Sequence, residues 1–397
     1  MERFLEINSG RRRPARFASA KTIDDLRGIA RAKLPNFVFE MLEGGADDEA
    51  TLRRNRSMFA RFLLSPKALV AIDPRDLGID LLGVPAKLPI IVAPTGGNAM
   101  YWTRGDLAMA EAAADAGIPF AQSTVSMMPI EDVAKVKGLR HWFQLYEFGG
   151  PRTSRRLIER ALAANCEALV VTIDGAITGN REWDRRNYAK PGVLSLRSNL
   201  NVALHPGWIW RTLVAGGVPN FVNLLEFVDV KNPTMFDVSR WTPTHDPRLT
   251  WTSIAEIRKQ WPRPLILKGI LRTDDVRRAI DAGVDGVVLS NHGGRQAEPT
   301  ISPLEILAPT RRAVGPDYPL IVDSGFRRGA EVAIAMALGA SAVMLGRSLL
   351  YGLAAKGKLG AAAAIEIFRS ELDRTLALIG VPAVRKLSSD ALSALPA

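Results

Sequence analysis

The chain has 397 residues, 47% of them hydrophobic, and a formal net charge of +11. This is ample for a packed core, and the length suits an α/β barrel run as a single domain. Cys166 is the single cysteine, which excludes a disulfide framework and a thiolate metal cage; in Ala-Asn-Cys-Glu-Ala it reads as a small buried residue rather than a nucleophile.

The N-terminus carries no apolar core of signal-peptide type. No run reaches the ~18 apolar residues of a spanning helix, so a cytoplasmic location is expected. Residues 1–21 form a basic arm with Arg11, Arg12, Arg13 and Arg16, expected to be solvated and disordered. A basic balance admits nucleic acid, anionic lipid or small anionic ligands. The motifs below select small anions, with a membrane surface as a second partner and no nucleic acid.

Residues 22–390 read as one domain. Its leading part is helical, including 34–42. From residue 87 short apolar, β-rich runs alternate with helical stretches. The runs are 87–94, 119–123, 141–146, 168–174, 264–268, 286–290, 319–323 and 341–346, with helices such as 105–116, 152–164, 274–282 and 328–338 between them. Near-continuous apolar strands are buried on both faces, and eight such units predict a closed (β/α)8 TIM barrel. The connection 175–250, after the fourth run, is far longer than an ordinary loop and is expected to be a lid or a membrane-binding insertion.

Several runs end in polar residues: Thr95, Ser123, Gln144 with Tyr146, Asp174, Lys268, Ser290 and Asp323. In a barrel these ends share the face that carries active sites. Of the four histidines, His141, His205 and His245 lack a catalytic context, whereas His292 stands in Ser290-Asn291-His292-Gly293-Gly294-Arg295-Gln296 directly after a buried strand. A histidine there serves as a base near neutral pH. The two glycines are expected to let backbone approach a ligand, and Arg295 can grip a carboxylate bidentately. Asp174 is placed to support a charged imidazole, Arg181 follows it, and Lys268 needs an anionic partner. The last two runs are followed by Asp323-Ser324-Gly325-Phe326-Arg327-Arg328-Gly329 and Gly346-Arg347-Ser348, the place where barrels bind phosphate. No Gly-x-Gly-x-x-Gly opens a helix after a strand, so a Rossmann dinucleotide site is not supported.

The 290–296 segment resembles the signature of the FMN-dependent 2-hydroxy acid oxidases and dehydrogenases. Supporting pieces follow in family order: Leu-Glu-Gly-Gly-Ala-Asp-Asp-Glu at 42–49, Ala-Pro-Thr-Gly at 93–96, Phe-Gln-Leu-Tyr at 143–146, Thr172-x-Asp174, Gly179-x-Arg181-Glu182, Leu-Lys-Gly at 267–269 and the 323–329 segment. The resemblance runs from about Thr22 to about Leu387 and lies nearest the mandelate dehydrogenase branch. It implies FMN as cofactor and an (S)-2-hydroxy acid, aryl or bulky, as substrate. It makes His292 the base, Asp174 its support, Arg295 and Arg181 the carboxylate clamp, and Tyr146 a hydrogen-bonding partner near the reacting carbon. It places Lys268 at the flavin N1/O2 edge, Pro94, Thr95, Gly96, Ser123, Gln144, Thr172 and Ser290 along the ring, Asp323 at the ribityl chain, and Gly325, Arg327, Gly346 and Arg347 at the phosphate. Quinone or oxygen is the implied final acceptor, and Gly96, where many oxidases carry alanine, favours the dehydrogenase. A homotetramer is the implied assembly. Other readings are a flavin barrel acting on a different C–H donor and an oxygen-using 2-hydroxy acid oxidase.

One position departs from the family: Met41 stands where a tyrosine usually donates its hydroxyl to the substrate carboxylate. A second feature is the stretch 204–228, in which Trp208, Trp210, Phe221 and Phe227 lie among aliphatics, preceded by Arg185, Arg186, Lys190 and Arg197. Aromatics with nearby cations suit the headgroup boundary of an anionic bilayer, and the resemblance places a membrane-attachment insertion here. Two readings stand: peripheral binding to the inner face of the cell membrane, or packing over the barrel mouth or a neighbouring subunit, where a lid would bury the same tryptophans.

Overall fold

A computed structural model describes residues 16–190, 192–241 and 249–394; Arg11, Arg12, Arg13 and His245 lie outside them. Strands β1 (Ile90–Val92), β2 (Pro119–Ser123), β3 (Arg140–Leu145), β4 (Ala168–Thr172), β5 (Leu265–Ile270), β6 (Gly286–Leu289), β7 (Leu320–Val322) and β8 (Ala342–Leu345) form a closed parallel barrel in chain order, β8 pairing back to β1. The fold is the expected (β/α)8 barrel. The first expected run, 87–94, forms a ladder only over β1, because Pro89 and Pro94, which lack N–H groups, flank it. The expected helices appear as Gly105–Ala116, Pro151–Ala163, Thr273–Asp281 and Gly329–Ala337.

Alternation along the strands sorts the apolar residues into two cores. Ile91, Ala121, Trp142, Val170, Ile266, Val288, Ile321 and Met344 point inward and fill the barrel, with Leu81 from a short N-terminal hairpin among them. The residues between them, such as Val92, Phe120, Phe143, Leu267 and Leu289, face the helical shell.

Among the described residues, the α-helices before the barrel are α1 (Ile23–Lys33), α2 (Asn36–Glu43) and α3 (Ala50–Ser57). Thr22 and Asp25 form a capping box that starts α1. After β1 comes the short helix α4 (Asn98–Tyr101).

The long connection after β4 is folded onto the barrel. It contains α5 (Leu196–Ala203), and three anchors hold it down. Trp208 is 3% exposed and donates its indole N–H to Met100 O at 2.8 Å. Asn201 Oδ1 accepts from Asn36 N at 2.7 Å, and buried Asn223 accepts from Ile130 N and donates to Met128 O. The four aromatics of 204–228 divide between the two readings of this segment. Trp208 is buried, Phe221 lines the barrel-mouth cavity, and Phe227 stacks on Trp241 with centroids 6.1 Å apart. Trp210 alone of the four is exposed, at 66%, and its exposed company is aliphatic: Leu196, Leu200, Leu204, Val214 and Val218. Each inward ring has its own partner: Phe37 and Met100 O for Trp208, the barrel-mouth cavity for Phe221 and Trp241 for Phe227. Among the described residues no helix is long and apolar enough to cross a membrane.

Candidate active site

Period-two alternation decides which side chains reach the barrel mouth. Two residues beyond Ala93, Ala121, Trp142, Val170, Ile266, Val288, Ile321 and Met344 stand Thr95, Ser123, Gln144, Thr172, Lys268, Ser290, Asp323 and Gly346. All eight strands thus aim one residue of the expected set at a common tier. Two residues further on come Tyr146, Asp174 and His292, a second tier nearer solvent. A cavity of about 340 Å³ spans both tiers, lined among others by Pro94, Thr95, Gly96, Ser123, Tyr146, Arg181, Lys268, His292, Arg295 and Asp323.

The lower tier contains a tight ionic knot. Lys268 Nζ lies 2.8 Å from Ser290 Oγ and 3.0 Å from Asp323 Oδ2, and Ser290 Oγ in turn donates to Asp323 Oδ2 at 2.9 Å. Burial disfavours the ammonium, but Asp323 and Asp174 outweigh it and hold Lys268 above its ordinary range. Lys268 is therefore cationic. On the neighbouring strands, Gln144 Oε1 accepts from Ser123 Oγ at 2.9 Å, while Gln144 Nε2 and Thr172 Oγ1 are buried without a hydrogen-bond partner among the described residues. Such orphaned groups fit a planar heterocycle edged with carbonyl and N–H groups. At the far end, Gly325, Arg327, Gly346 and Arg347 line the cavity beside the start of α6 (Arg347–Leu378), which is interrupted at Lys356 and Gly357; a helix start favours an anion. The residues present therefore fit a flavin with a terminal phosphate.

The upper tier is built for proton transfer. His292 Nδ1 lies 2.9 Å from Asp174 Oδ1, and its Nε2 lies 3.2 Å from the Tyr146 hydroxyl. An ionised carboxylate can only accept, so Nδ1 carries the proton and Nε2 is the basic nitrogen. Burial raises the Asp174 carboxyl, yet His292 and Lys268 outweigh it and keep Asp174 below its ordinary value. Burial pushes His292 below its ordinary 6.5, with Asp174 opposing, so the imidazole is neutral at pH 7. Burial, then Asp174, pushes the Tyr146 phenol up to about 12, so it stays a donor. Gly269, at φ +111°, makes the packing possible: a Cβ there would sit 2.7 Å from Asp174 Cβ.

Positive charge is concentrated above these tiers. Burial and then Arg295 lower Arg181 to about 10, which leaves it cationic at neutral pH. Among the described residues Arg181 has no ion pair, its Nε reaching only Arg295 O at 3.5 Å. Arg295 donates to Gly44 O at 2.6 Å and faces Asp184 at 3.7 Å. One carboxylate, its Asp184 Oδ1 without a hydrogen-bond partner among the described residues, does not balance two guanidiniums. The imbalance makes the cluster a receptor for an anion.

Three expectations change in detail. The glycines after His292 were expected to admit a ligand. A Cβ at Gly294 would instead meet Leu52 N at 2.8 Å, and one at Gly293 would meet Arg347 Nη1 at 2.5 Å, so both make room for protein. Arg347 uses its guanidinium largely as a staple, donating to Leu42 O, Gly293 O and Gly44 O. Gly96 has a packing reason, because a Cβ there would lie 2.4 Å from Val125 Cγ2. Cys166 is buried, its thiol pushed up to about 12 by burial, and His141, paired with Gln122, is pushed down to about 4 by burial. Neither is poised for chemistry. Met41 lines the cavity as expected. Tyr101, Val125 and Phe221 also line it, and no local motif marks them, because they arrive through the tertiary fold.

These features define a flavin-dependent barrel oxidoreductase. The family described as FMN-dependent dehydrogenase matches residues 30–394, and the chain belongs to that family, with FMN as its cofactor. It is 40% identical over 372 residues to (S)-mandelate dehydrogenase of Pseudomonas putida, covering 93% of each chain. It is 39% identical over 375 residues to a putative L-lactate dehydrogenase of Mycobacterium tuberculosis, covering 94% of this chain and 89% of that one. Among solved structures, that of monotopic membrane protein (S)-mandelate dehydrogenase superposes with a TM-score of 0.91 at 39% identity, covering 95% of this chain and 100% of the other. A mandelate oxidase with benzoyl-formic acid gives 0.78 at 34% identity, covering 95% and 99%.

Proposed function

We propose that this enzyme oxidises an (S)-2-hydroxy acid with an aryl or bulky side chain to the 2-oxo acid. The observation that carries the reading is the placement of one neutral, carboxylate-backed histidine beneath an under-compensated arginine pair, in a cavity whose lower tier fits a flavin. The relatives named as mandelate and lactate dehydrogenases support it.

FMN, when bound, supplies the two-electron acceptor. The ring would be held by Pro94, Thr95, Gly96, Ser123, Gln144, Thr172, Lys268 and Ser290, the ribityl chain by Asp323, and the phosphate by Gly325, Arg327 and the Gly346–Arg347 turn. Arg181 and Arg295 bind the substrate carboxylate, and Tyr146 donates to the substrate oxygen. His292 Nε2 accepts a proton from the carbinol centre, and Asp174 stabilises the imidazolium that results. Lys268 brings fixed positive charge to the place where negative charge accumulates. Met41, Val125 and Phe221 form an apolar wall for the side chain.

Arg295→Met tests the clamp. Losing a buried charged contact costs on the order of 2–5 kcal/mol, so binding of benzoylformate weakens at least thirtyfold or so. A variant that binds it as tightly as the native enzyme removes the clamp from the mechanism.

The electron acceptor we infer is a quinone, reached from the inner face of the cell membrane. The support is the apolar surface of the insertion, Leu196, Leu200, Leu204, Trp210, Val214 and Val218, flanked by exposed Arg185, Arg186, Lys190 and Arg197, together with the description of the mandelate dehydrogenase structure as monotopic. Leu196 and Leu200 lie one helical turn apart on α5. Replacing all of 204–228 would also remove the buried anchors, so the sharper variant is Leu200→Ser/Leu204→Ser/Trp210→Ser. Native protein sediments with anionic vesicles at low salt, and the variant stays in the supernatant. Native protein that does not sediment ends the membrane reading. A variant that instead changes the oligomeric state assigns the same face to subunit contacts.

A further inference from the structure

Tyr101 is the one cavity-lining phenol that no role above employs. It is 3% exposed, it lines the same cavity as Met41, Arg181 and Arg295, and no protein group among the described residues hydrogen-bonds its hydroxyl. A phenol O–H on a cavity wall that no protein group engages is a donor left for the cavity's ligand.

Its position is fixed from both sides. Thr95 Oγ1 donates to Asn98 Oδ1 at 3.0 Å, and Asn98 Nδ2 donates to buried Asp106 at 2.9 Å. Asp106 also accepts from Met127 N. From the insertion, Trp208 holds Met100 O. Helix α4 is therefore clamped between the β1 end and the insertion, and the phenol cannot swing away freely. Its ionisation is raised chiefly by burial and is felt by Arg295, Asp184, Arg347 and Arg181, which places the hydroxyl in the field of the arginine cluster. Met41 approaches the same loop, its Cε 3.5 Å from where a Gly97 Cβ would stand.

We propose that Tyr101 is a substrate-binding residue whose hydroxyl donates to the carboxylate held by Arg181 and Arg295. This inference rests on the 2-hydroxy acid reading above. It explains how a cavity with methionine at position 41 keeps a hydroxyl donor for the carboxylate. The phenol comes from α4 rather than from α2, and Met41 is free to contact the apolar side chain.

The test measures calorimetric affinity of the FMN-loaded enzyme for benzoylformate and for its neutral amide, in the native protein, Tyr101→Phe and Arg295→Met. A hydrogen bond to a charged acceptor carries roughly ten- to a hundredfold in affinity. Tyr101→Phe therefore binds benzoylformate that much more weakly, while its affinity for the amide changes less than about threefold and its flavin content is unaltered. Native-like binding of benzoylformate by Tyr101→Phe, with Arg295→Met impaired, overturns the role of Tyr101 and leaves the proposed function standing. Native-like binding by both variants overturns the carboxylate clamp as well, and the Tyr101 proposal with it.

Discussion

His292→Ala lowers the rate of anaerobic flavin reduction by substrate roughly a hundred- to ten-thousandfold, the range of a general base, while the protein keeps its flavin. The two effects separate because His292 contacts Asp174 and Tyr146 in the upper tier, whereas the orphaned polar atoms that fit the flavin ring lie below. The pH profile adds a second readout. The imidazole must be neutral to accept a proton, and burial holds its pKa below 6.5. The acid limb of kcat/KM therefore lies below pH 6.5, with a plateau through neutrality. Asp174 raises His292, so Asp174→Asn lowers its pKa, moves the acid limb to still lower pH and weakens the base on the plateau. Stopped-flow reduction across pH measures both. An acid limb that moves upward in Asp174→Asn contradicts the assigned pairing.

Lys268→Met produces the largest stability loss. Lys268 and Asp323 are both nearly inaccessible and lie 3.0 Å apart. Removing the ammonium leaves a buried carboxylate supported, among the described residues, by the Ser290 and Ser324 hydroxyls, a change that costs about 3–5 kcal/mol. Urea unfolding followed by tryptophan fluorescence reads this as a lower midpoint with an unchanged slope. Lys268→Met/Asp323→Asn recovers most of the loss, because no unpaired charge remains. A single variant as stable as the native protein would show that the knot is not a structural ion pair.

The barrel was legible because its signal is local and repeated: eight apolar runs separated by helical stretches or by the long insertion, seven of them ending at or next to a polar residue. The same alternation that buries Ile266, Val288 and Ile321 inside delivers Lys268, Ser290 and Asp323 to the mouth, so strand-borne site residues could be read from the chain alone. Met41 could be singled out because it interrupts a recognisable stretch. Tyr101 and Phe221 could not, since a short helix and a long insertion have no periodicity that says which face meets the cavity. The insertion was ambiguous for the same reason. Trp208 looks like an interfacial anchor in sequence, but its indole N–H finds Met100 O and its ring packs edge-on against Phe37, with centroids 5.8 Å apart. The exposed leucines of α5 carry the surface instead. The glycines after His292 show a related limit, because room for a ligand and room for Leu52 leave the same mark in a sequence.

The central claim is that a flavin and an arginine-held 2-hydroxy acid meet beside His292. Anaerobic mixing of the yellow enzyme with (S)-mandelate, (S)-lactate and methyl (S)-mandelate tests it most directly, with flavin absorbance and released 2-oxo acid followed together. The expected result is loss of the oxidised flavin band with one 2-oxo acid formed per flavin, faster for mandelate than for lactate, and little reduction by the ester. An enzyme whose flavin stays oxidised with both acids, or is reduced as readily by the ester as by mandelate, contradicts the account.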